Sequence, residues 1–337
     1  MFRGPRAIES PAVRIREGTR SLVVPCAAGA VALIFAAPAV AAPSDSPQPP
    51  ASQPGIDLEL KGVKHGKVRV AKHARVFGTV RPFATGQQVA VTLFKGDREL
   101  KKELVAVKQG EGDAGHFQLR SPVLVKPGHY VATAQLAGNP QVGARSNEFK
   151  VSYPALHHGS KGKDVKVFNR LLDKQGYVPS RGRKYSARTG RAVLAYRKVH
   201  GMARVTRSTS GMFRKLASGK GAYKLKHPGA GRHAEVSIGR QVLVLADNGK
   251  PQRTYPVSTG KSSTPTVRGH FRFYRRQPGF NSVGMYYSVY FHGGYAVHGY
   301  HDVPARYPAS HGCVRTPIPD ARSIYNWVSI GMSIYVY

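Results

Sequence analysis

Cysteine is scarce in this chain of 337 residues, which contains only Cys26 and Cys313. Cys26 lies in an N-terminal segment that we expect to be removed on export, so the remaining chain would keep a single thiol. This excludes an internal disulfide and predicts that Cys313 is free. A solitary cysteine is more often an apolar filler than a nucleophile, so the residues around it must carry any catalytic interpretation.

Acidic residues are also few, because 17 Asp and Glu stand against 52 Lys and Arg and give a formal net charge of +35. Such an excess predicts a polyanionic partner. Nucleic acid is the usual first interpretation, but export favours acidic wall polymers or anionic lipid, and we expect no nucleic-acid partner. A role of the charge in solubility alone stays open.

The N-terminus has the layout of a secretory signal. Five arginines precede an uncharged apolar run over residues 22–42, which closes on Ala39-Val40-Ala41. This pattern predicts a signal peptide over residues 1–41. The alternative is a retained membrane anchor, since about 20 apolar residues can span a bilayer. The membrane would then be contacted only through this segment. Pro and Ser dominate residues 42–55, which predicts an extended linker.

The chain is long enough for two or three domains. Apolar residues alternate with polar ones between 56 and 153, for example at Val89, Val91 and Leu93. This period of two predicts a β-sandwich of immunoglobulin type over residues 56–153. The segment contains no catalytic constellation, so a spacer or wall-docking module is the preferred interpretation.

The period then changes to that of helices. Val165, Phe168 and Leu172 are spaced by three and four residues after the acidic start at Asp164. Two further helical stretches follow, which predicts a small three-helix domain over residues 155–217. A Gly/Lys-rich linker is predicted at 218–232, and alternating strands indicate a mainly-β domain over residues 233–337.

The residues that carry chemistry lie near the C-terminus, at His298-Gly299 and in the run from Ser310 to Arg315. A cysteine attacks as its thiolate, so it needs a basic neighbour, and His298 and His311 are the candidates. Gly312 permits a tight turn that would aim the N–H groups of Gly312 and Cys313 at one oxyanion.

These motifs resemble the signature of the L,D-transpeptidase family with its YkuD-type catalytic domain, as do Ser258-Thr259-Gly260 and Thr264-Pro265. The resemblance implies that Cys313 is the acylated nucleophile. It also implies that His298 is the general base and forms a thiolate–imidazolium pair with it. Many members have serine after this histidine; with Gly299 here, a backbone carbonyl would orient His298.

Other roles follow from the same resemblance. Arg315 would pair with a substrate carboxylate, and His311 and Ser310 would shape the loop around the nucleophile. Tyr286 would line the substrate cleft, although an aromatic residue in a β-rich domain is equally well explained by the core. The family needs no cofactor.

The middle segment resembles the three-helix peptidoglycan-binding domain, through its G-S-x-G-x-D-V entry at residues 159–165 and Gly176-Tyr177. It departs from that pattern at Phe168-Asn169 and in the basic stretch 181–184. The resemblance implies that the partners are the stem peptides and glycan of peptidoglycan. We therefore expect a multidomain α+β protein exported to the cell wall, or the equivalent periplasmic space, of a bacterium.

The implied reaction is attack by Cys313 on the L,D-peptide bond of a tetrapeptide stem, followed by transfer to an amine of a neighbouring stem. Attack by water instead would make the enzyme an L,D-carboxypeptidase. A non-catalytic wall-binding protein is a further alternative, which the intact pair of Cys313 and His298 disfavours. A zinc site is another, because several histidines lie near Cys313, but their spacing is irregular.

Overall fold

The computed structural model describes residues 54–337. The predicted signal peptide or anchor, Cys26 and all but the last two residues of the predicted Pro/Ser linker lie outside the described residues. Between residues 54 and 337, no helix combines the length and apolar character that crossing a membrane requires.

Ten strands form two sheets between residues 55 and 152. In chain order they are β1 (Gly55–Lys61), β2 (Lys67–Arg69), β3 (Arg75–Arg81), β4 (Gln88–Lys95), β5 (Arg98–Ala106), β6 (Lys108–Gln109), β7 (Gly115–Arg120), β8 (His129–Leu136), β9 (Asn139–Arg145) and β10 (Phe149–Ser152). One sheet has the order β1-β3-β7-β6, and the other has β2-β10-β8-β4-β5 with β9 paired to β8. Their immunoglobulin type stays a prediction.

The alternating sequence explains these strands. Val76 and Val80 of β3 and Val89 and Val91 of β4 are completely buried, while their neighbours are more exposed. Side chains two residues apart share a face of a strand, so each run of alternating valines supplies one apolar face to the core.

Three helices follow, α1 (Lys163–Lys174), α2 (Ala187–Val199) and α3 (Ser210–Ala217). The side chains of Ser186 and Thr209 cap α2 and α3 by accepting from backbone N–H groups three residues further on. Such caps satisfy donors that the first helical turn leaves unpaired. The buried stripe of α1 includes Phe168 and Leu172, as the sequence spacing predicts.

The last third of the described chain is mainly β, which confirms that prediction. Its elements are β11 (His233–Ser237), β12 (Val242–Asp247), β13 (Lys250–Pro256), β14 (Gly269–Arg272), β15 (Arg275–Phe280), β16 (Tyr286–His292), β17 (Tyr295–Tyr300), β18 (Val314–Pro317), α4 (Ile318–Trp327) and β19 (Ser333–Val336). Five strands form a sheet in the order β13-β12-β11-β19-β14, and four form a second sheet in the order β15-β16-β17-β18.

The helices pack directly on this mainly-β domain. Val242 and Val244 of β12 belong to the same buried cluster as the apolar side chains of the three helices. Thr254 N–H donates to Gly176 O at 2.7 Å, and Lys198 Nζ donates to Val257 O at 2.7 Å. Residues 54–337 therefore form one continuous body.

The connector at 218–232 differs from the solvated linker that its composition predicts. Tyr223 is buried, and its hydroxyl lies 2.6 Å from that of Tyr337. The fully buried carboxylate of Glu235 accepts from the backbone N–H groups of Lys226 and His227. These contacts hold the connector against the terminal domain because a buried carboxylate requires donors, and the connector supplies them.

Candidate active site

Two parallel strands bring the predicted nucleophile and base to one face. In the ladder between β17 and β18, Val297 is opposite Val314 and His298 is opposite Arg315. Cys313 directly precedes β18, and continuation of this register places it opposite Ala296. Side chains alternate along a strand, so Cys313, Ala296 and His298 share a face. Ala296 N–H donates to Cys313 Sγ at 3.4 Å.

The imidazole of His298 is oriented by the backbone. Its Nδ1 lies 3.0 Å from the carbonyl oxygen of Gly299. A carbonyl only accepts hydrogen bonds, so Nδ1 carries the proton and Nε2 is left with the lone pair of a base. The side chain is only 3% exposed, and this burial lowers the pKa of His298 to about 4.

The thiol is shifted in the opposite direction. Burial raises the pKa of Cys313, against the smaller lowering effects of the Ala296 N–H and the Arg315 guanidinium. Burial penalises whichever form of a group is charged, so it favours a neutral thiol beside a neutral imidazole. The described site thus disfavours the resting thiolate–imidazolium pair that the family resemblance implies.

The loop before β18 is held by a chain of hydroxyl groups. Ser310 Oγ donates to Cys313 O at 2.5 Å, and Thr266 Oγ1 donates to Gly312 O at 2.7 Å. Thr266 Oγ1 in turn accepts from Gly260 N–H at 2.8 Å. The loop-shaping role predicted for Ser310 agrees with these contacts. The role of Thr266 was missed, because it depends on an approach between loops distant in sequence.

Gly312 requires a correction. Its N–H donates to Ser310 Oγ at 3.1 Å, so it is not free to stabilise an oxyanion as predicted. The need for glycine has a different cause. Its φ is +116°, and an added Cβ would lie 2.3 Å from the Tyr295 ring. The backbone N–H of Cys313 stays the predicted oxyanion donor.

Gly299 is required by packing between β17 and α4. A Cβ at this position would lie 2.7 Å from the Cβ of Ala321 and 3.2 Å from the carbonyl oxygen of Tyr286. There is consequently no room here for the serine side chain that many members of the family carry after the histidine.

The two predicted substrate-binding side chains are partly engaged within the protein. Arg315 is 9% exposed, lies 3.4 Å from a carboxylate oxygen of Asp302 and stacks over the Tyr300 ring at 4.1 Å. Tyr286 is half-buried and contacts the ring of Phe280 at a centroid distance of 4.5 Å. Tyr286 is also paired with Gly299 across the β16–β17 ladder, directly beside His298.

His311 is exposed, and its Nε2 lies 3.4 Å from Lys261 Nζ. Within residues 54–337 no three His, Cys, Asp or Glu side chains are arranged as metal ligands. The zinc alternative therefore finds no ligand cluster in the described part of the chain. Asp302, which the sequence offered only as a candidate zinc ligand, lies instead against Arg315. Lys198 was missed because it lies in no motif.

The last third of the chain is similar to known proteins. Residues 231–336 match the family described as the L,D-transpeptidase catalytic domain, YkuD. YkuD of Bacillus subtilis (strain 168) is 32% identical over 107 residues, which are 31% of this chain and 65% of that protein. The chain thus spans slightly less than two thirds of that relative's length. Residues 231–336 are therefore similar to the YkuD family of L,D-transpeptidase catalytic domains.

A solved structure extends the similarity beyond that domain. The L,D-transpeptidase (residues 123–326) from Xylanimonas cellulosilytica DSM 15894 is 28% identical, with a TM-score of 0.50. The match covers 98% of that chain and 55% of this one, which is more than residues 231–336 occupy. Part of the chain before the catalytic domain therefore also resembles that structure.

Proposed function

We propose that the protein is a peptidoglycan L,D-transpeptidase that forms cross-links through a Cys313 acyl-enzyme on tetrapeptide stems. One observation carries the proposal. His298 lies on β17, and Cys313 directly precedes the adjacent parallel strand β18 with its Sγ accepting from the β17 residue Ala296, within a segment that matches the YkuD catalytic-domain family. A nucleophile beside an oriented base is the arrangement that acyl transfer requires.

The first half of the reaction forms a thioester. His298 Nε2 takes the thiol proton while Cys313 Sγ attacks the carbonyl carbon of the L-residue in the L,D-peptide bond. The tetrahedral intermediate collapses with cleavage of the carbon–nitrogen bond. The imidazolium gives its proton to the departing amine of the D-amino acid, and the acyl group stays on sulfur.

The second half forms the cross-link. A side-chain amine of a neighbouring stem attacks the thioester carbonyl, and His298 accepts a proton from this amine. The carbon–sulfur bond breaks, the new amide leaves, and the proton returns to Cys313. The backbone N–H of Cys313 would stabilise the oxyanion in both halves.

The neutral resting pair fits this sequence of steps. A neutral imidazole can accept a proton only as the thiol attacks, so charge would develop only in the presence of substrate. The Gly299 carbonyl would stabilise the imidazolium that forms, in place of the side chain that other members use. The family resemblance supports action without a cofactor, in the cell wall after export.

The test is incubation of the full chain with tetrapeptide-containing muropeptides, followed by mass spectrometry, with Cys313→Ala as the control. We expect a dimer whose mass is that of two stems less one D-amino acid, absent from the control. Tripeptide product alone would show a carboxypeptidase. An unchanged substrate pool would favour a wall-binding protein without activity.

A further inference from the structure

A large cleft lies away from the catalytic residues, with a volume of about 870 Å³. It is lined by residues from the two-sheet region, from α1, α2 and the loop between them, and from β13, including Val123, Lys166 and Gln252. Neither Cys313, His298 nor the loop that holds them contributes to it. Its size falls within the range of about 300–1,000 Å³ that is usual for ligand sites.

The cleft is strongly basic. Its walls carry seven cationic side chains: Lys163, Lys166, Arg170, Arg181, Arg183, Arg188 and Arg253. Asp173 is the single acidic residue among the lining residues. Within residues 54–337 none of the seven cations forms an ion pair. Cations that surround a concave surface concentrate a positive electrostatic potential inside it. The cleft therefore favours an anionic ligand.

One wall is a row of charges along α1. Lys163, Lys166 and Arg170 are spaced by three and four residues, which puts them on one helix face. Successive charges then lie about 4.5 and 6 Å apart along the axis. Positive charges that recur about once per helical turn can pair with a linear polymer that carries one anionic group in each of its repeat units.

A second part of the lining is the loop after α1, which carries two arginines. Asn169, which is 1% exposed, donates from Nδ2 to Gly182 O at 3.1 Å and accepts from Thr189 Oγ1 at 3.0 Å. These bonds fix the backbone between Arg181 and Arg183. Asn169 and this basic stretch are the two places where the segment departs from the pattern of peptidoglycan-binding domains.

The side-chain chemistry indicates the ligand. Five of the seven cations are arginines, whose planar guanidinium binds phosphate oxygens in pairs. A flat bilayer surface cannot enter a cleft, whereas a polymer chain can lie along it. We propose that the cleft binds a phosphodiester-linked acidic polymer of the cell wall. This inference rests on the proposed function, which places the chain at the wall.

Such binding would hold the catalytic body on the wall without occupying its active site. Arg253 lines the cleft and also belongs to β13 of the catalytic domain, where its Nη1 donates to Ser323 Oγ on α4. The cleft is therefore attached directly to the catalytic domain. A bound polymer would therefore anchor the helices and the catalytic domain together.

The test is direct binding of the full chain to a poly(glycerol phosphate) oligomer at two ionic strengths. The cleft variant is Arg181→Gln with Arg183→Gln. Its matched control is Arg98→Gln with Arg207→Gln, which removes two exposed arginines outside the cleft. We expect salt-sensitive binding that is about tenfold weaker in the cleft variant and nearly unchanged in the control.

Competing probes and a second readout make each outcome decisive. Equal binding by both double variants would overturn the proposal, as would tighter binding of an oligonucleotide or of a neutral chitin oligosaccharide. The cleft variant should still cross-link soluble muropeptides, and Cys313→Ala should still bind the polymer. Loss of cross-linking with intact polymer binding would refute the proposed function alone.

Discussion

At the scale of single residues, the protonation of Cys313 and His298 determines how the proposed nucleophile would be activated. Burial raises the pKa of the thiol and lowers that of the imidazole to about 4. Above about pH 4 and below the raised pKa of the thiol, both groups are neutral. Neither group then carries the charge that would stabilise the other, so the thiolate should form only at alkaline pH or during attack on substrate.

The pH dependence of Cys313 alkylation tests this. We expect the rate with iodoacetamide to be low at neutral pH and to rise through the alkaline range, because the raised pKa delays formation of the thiolate. The unfolded chain is the control, and its Cys313 thiol should react at lower pH than the same thiol in the folded protein. A rate that is already at its plateau near pH 5 would show a resting ion pair instead.

The motifs singled out these two residues as the predicted nucleophile and base, but they did not indicate the contacts of their neighbours. Cys313 and His298 follow from a short signature whose residue types have few other uses together. The engagement of Gly312 N–H by Ser310 Oγ depends on one side-chain rotamer. The contact between Arg315 and Asp302 depends on how a loop returns to the strand. Neither is encoded in local spacing.

At the scale of secondary-structure elements, the close packing of β17 against α4 requires glycine at position 299, directly after His298. Gly299→Ser would restore the family's usual residue but place its Cβ against that of Ala321, 2.7 Å away. We expect a loss of about 1–3 kcal/mol in the free energy of unfolding, as for other overpacked cores. Denaturant unfolding measures it.

A paired substitution separates this clash from other effects of serine. Ala321→Gly removes the methyl group, so the double variant should lose less stability than the sum of the two single variants. Strict additivity would show that the two residues do not compete for the same space, and the packing explanation for Gly299 would be wrong.

Helix α2 supplies a buried lysine to the catalytic domain. Lys198 is 3% exposed, and burial with the nearby charge of Arg204 lowers its pKa to about 7. Between that value and the higher pKa of the unfolded chain, unfolding takes up a proton. The contribution of Lys198 to stability must therefore rise with pH above about 7, and it is lowest below that pH.

Comparison with Lys198→Met measures this contribution. We expect the stability of the natural protein, relative to the variant, to increase above about pH 7 by on the order of 1 kcal/mol per pH unit. Thr209→Val, which removes the cap of α3 and no charge, serves as the control. A difference between Lys198→Met and the natural protein that is constant from pH 6 to about 9 would refute the shifted pKa.

Sequence periodicity predicted the elements better than it predicted their surroundings. The alternating valines of β4 and the spacing of Phe168 and Leu172 in α1 both indicate which face of the element is buried. Periodicity predicts this because apolar residues recur on the buried face. The packing of the 218–232 connector was missed because it depends on residues outside the connector. Glu235 follows it closely in sequence, and Tyr337 lies far along the chain. Composition alone made that connector resemble a solvated linker.

At the scale of the whole molecule, polar contacts join modules that sequence analysis treats as separate. Arg69 Nε donates to a carboxylate oxygen of Asp164 at 3.1 Å and links the two-sheet region to α1. Arg191 on α2 donates twice to Asp320 on α4, at 2.7 and 3.0 Å. Domain boundaries read from composition carry no information about such contacts, since each partner is an ordinary charged residue in its own segment.

The pair of Arg191 and Asp320 connects the helices to the element that packs beside His298. Asp320 is 4% exposed, so Arg191→Leu would leave a buried carboxylate without its partner. We expect a loss of about 3–5 kcal/mol in the free energy of unfolding, measured with denaturant. Arg188→Leu, which removes an exposed charge one turn earlier on the same helix, should change stability much less.

The double variant Arg191→Leu with Asp320→Asn distinguishes a coupling between modules from damage to one of them. Removing the carboxylate charge eliminates most of the cost of leaving it unpaired, so this variant should be more stable than Arg191→Leu alone.

If the helices and the catalytic domain act as one body, both single and double variants should unfold in one transition monitored by Trp327 fluorescence and by circular dichroism. Two separated transitions in the natural protein would show that the modules fold independently, and the pair would then matter for docking alone.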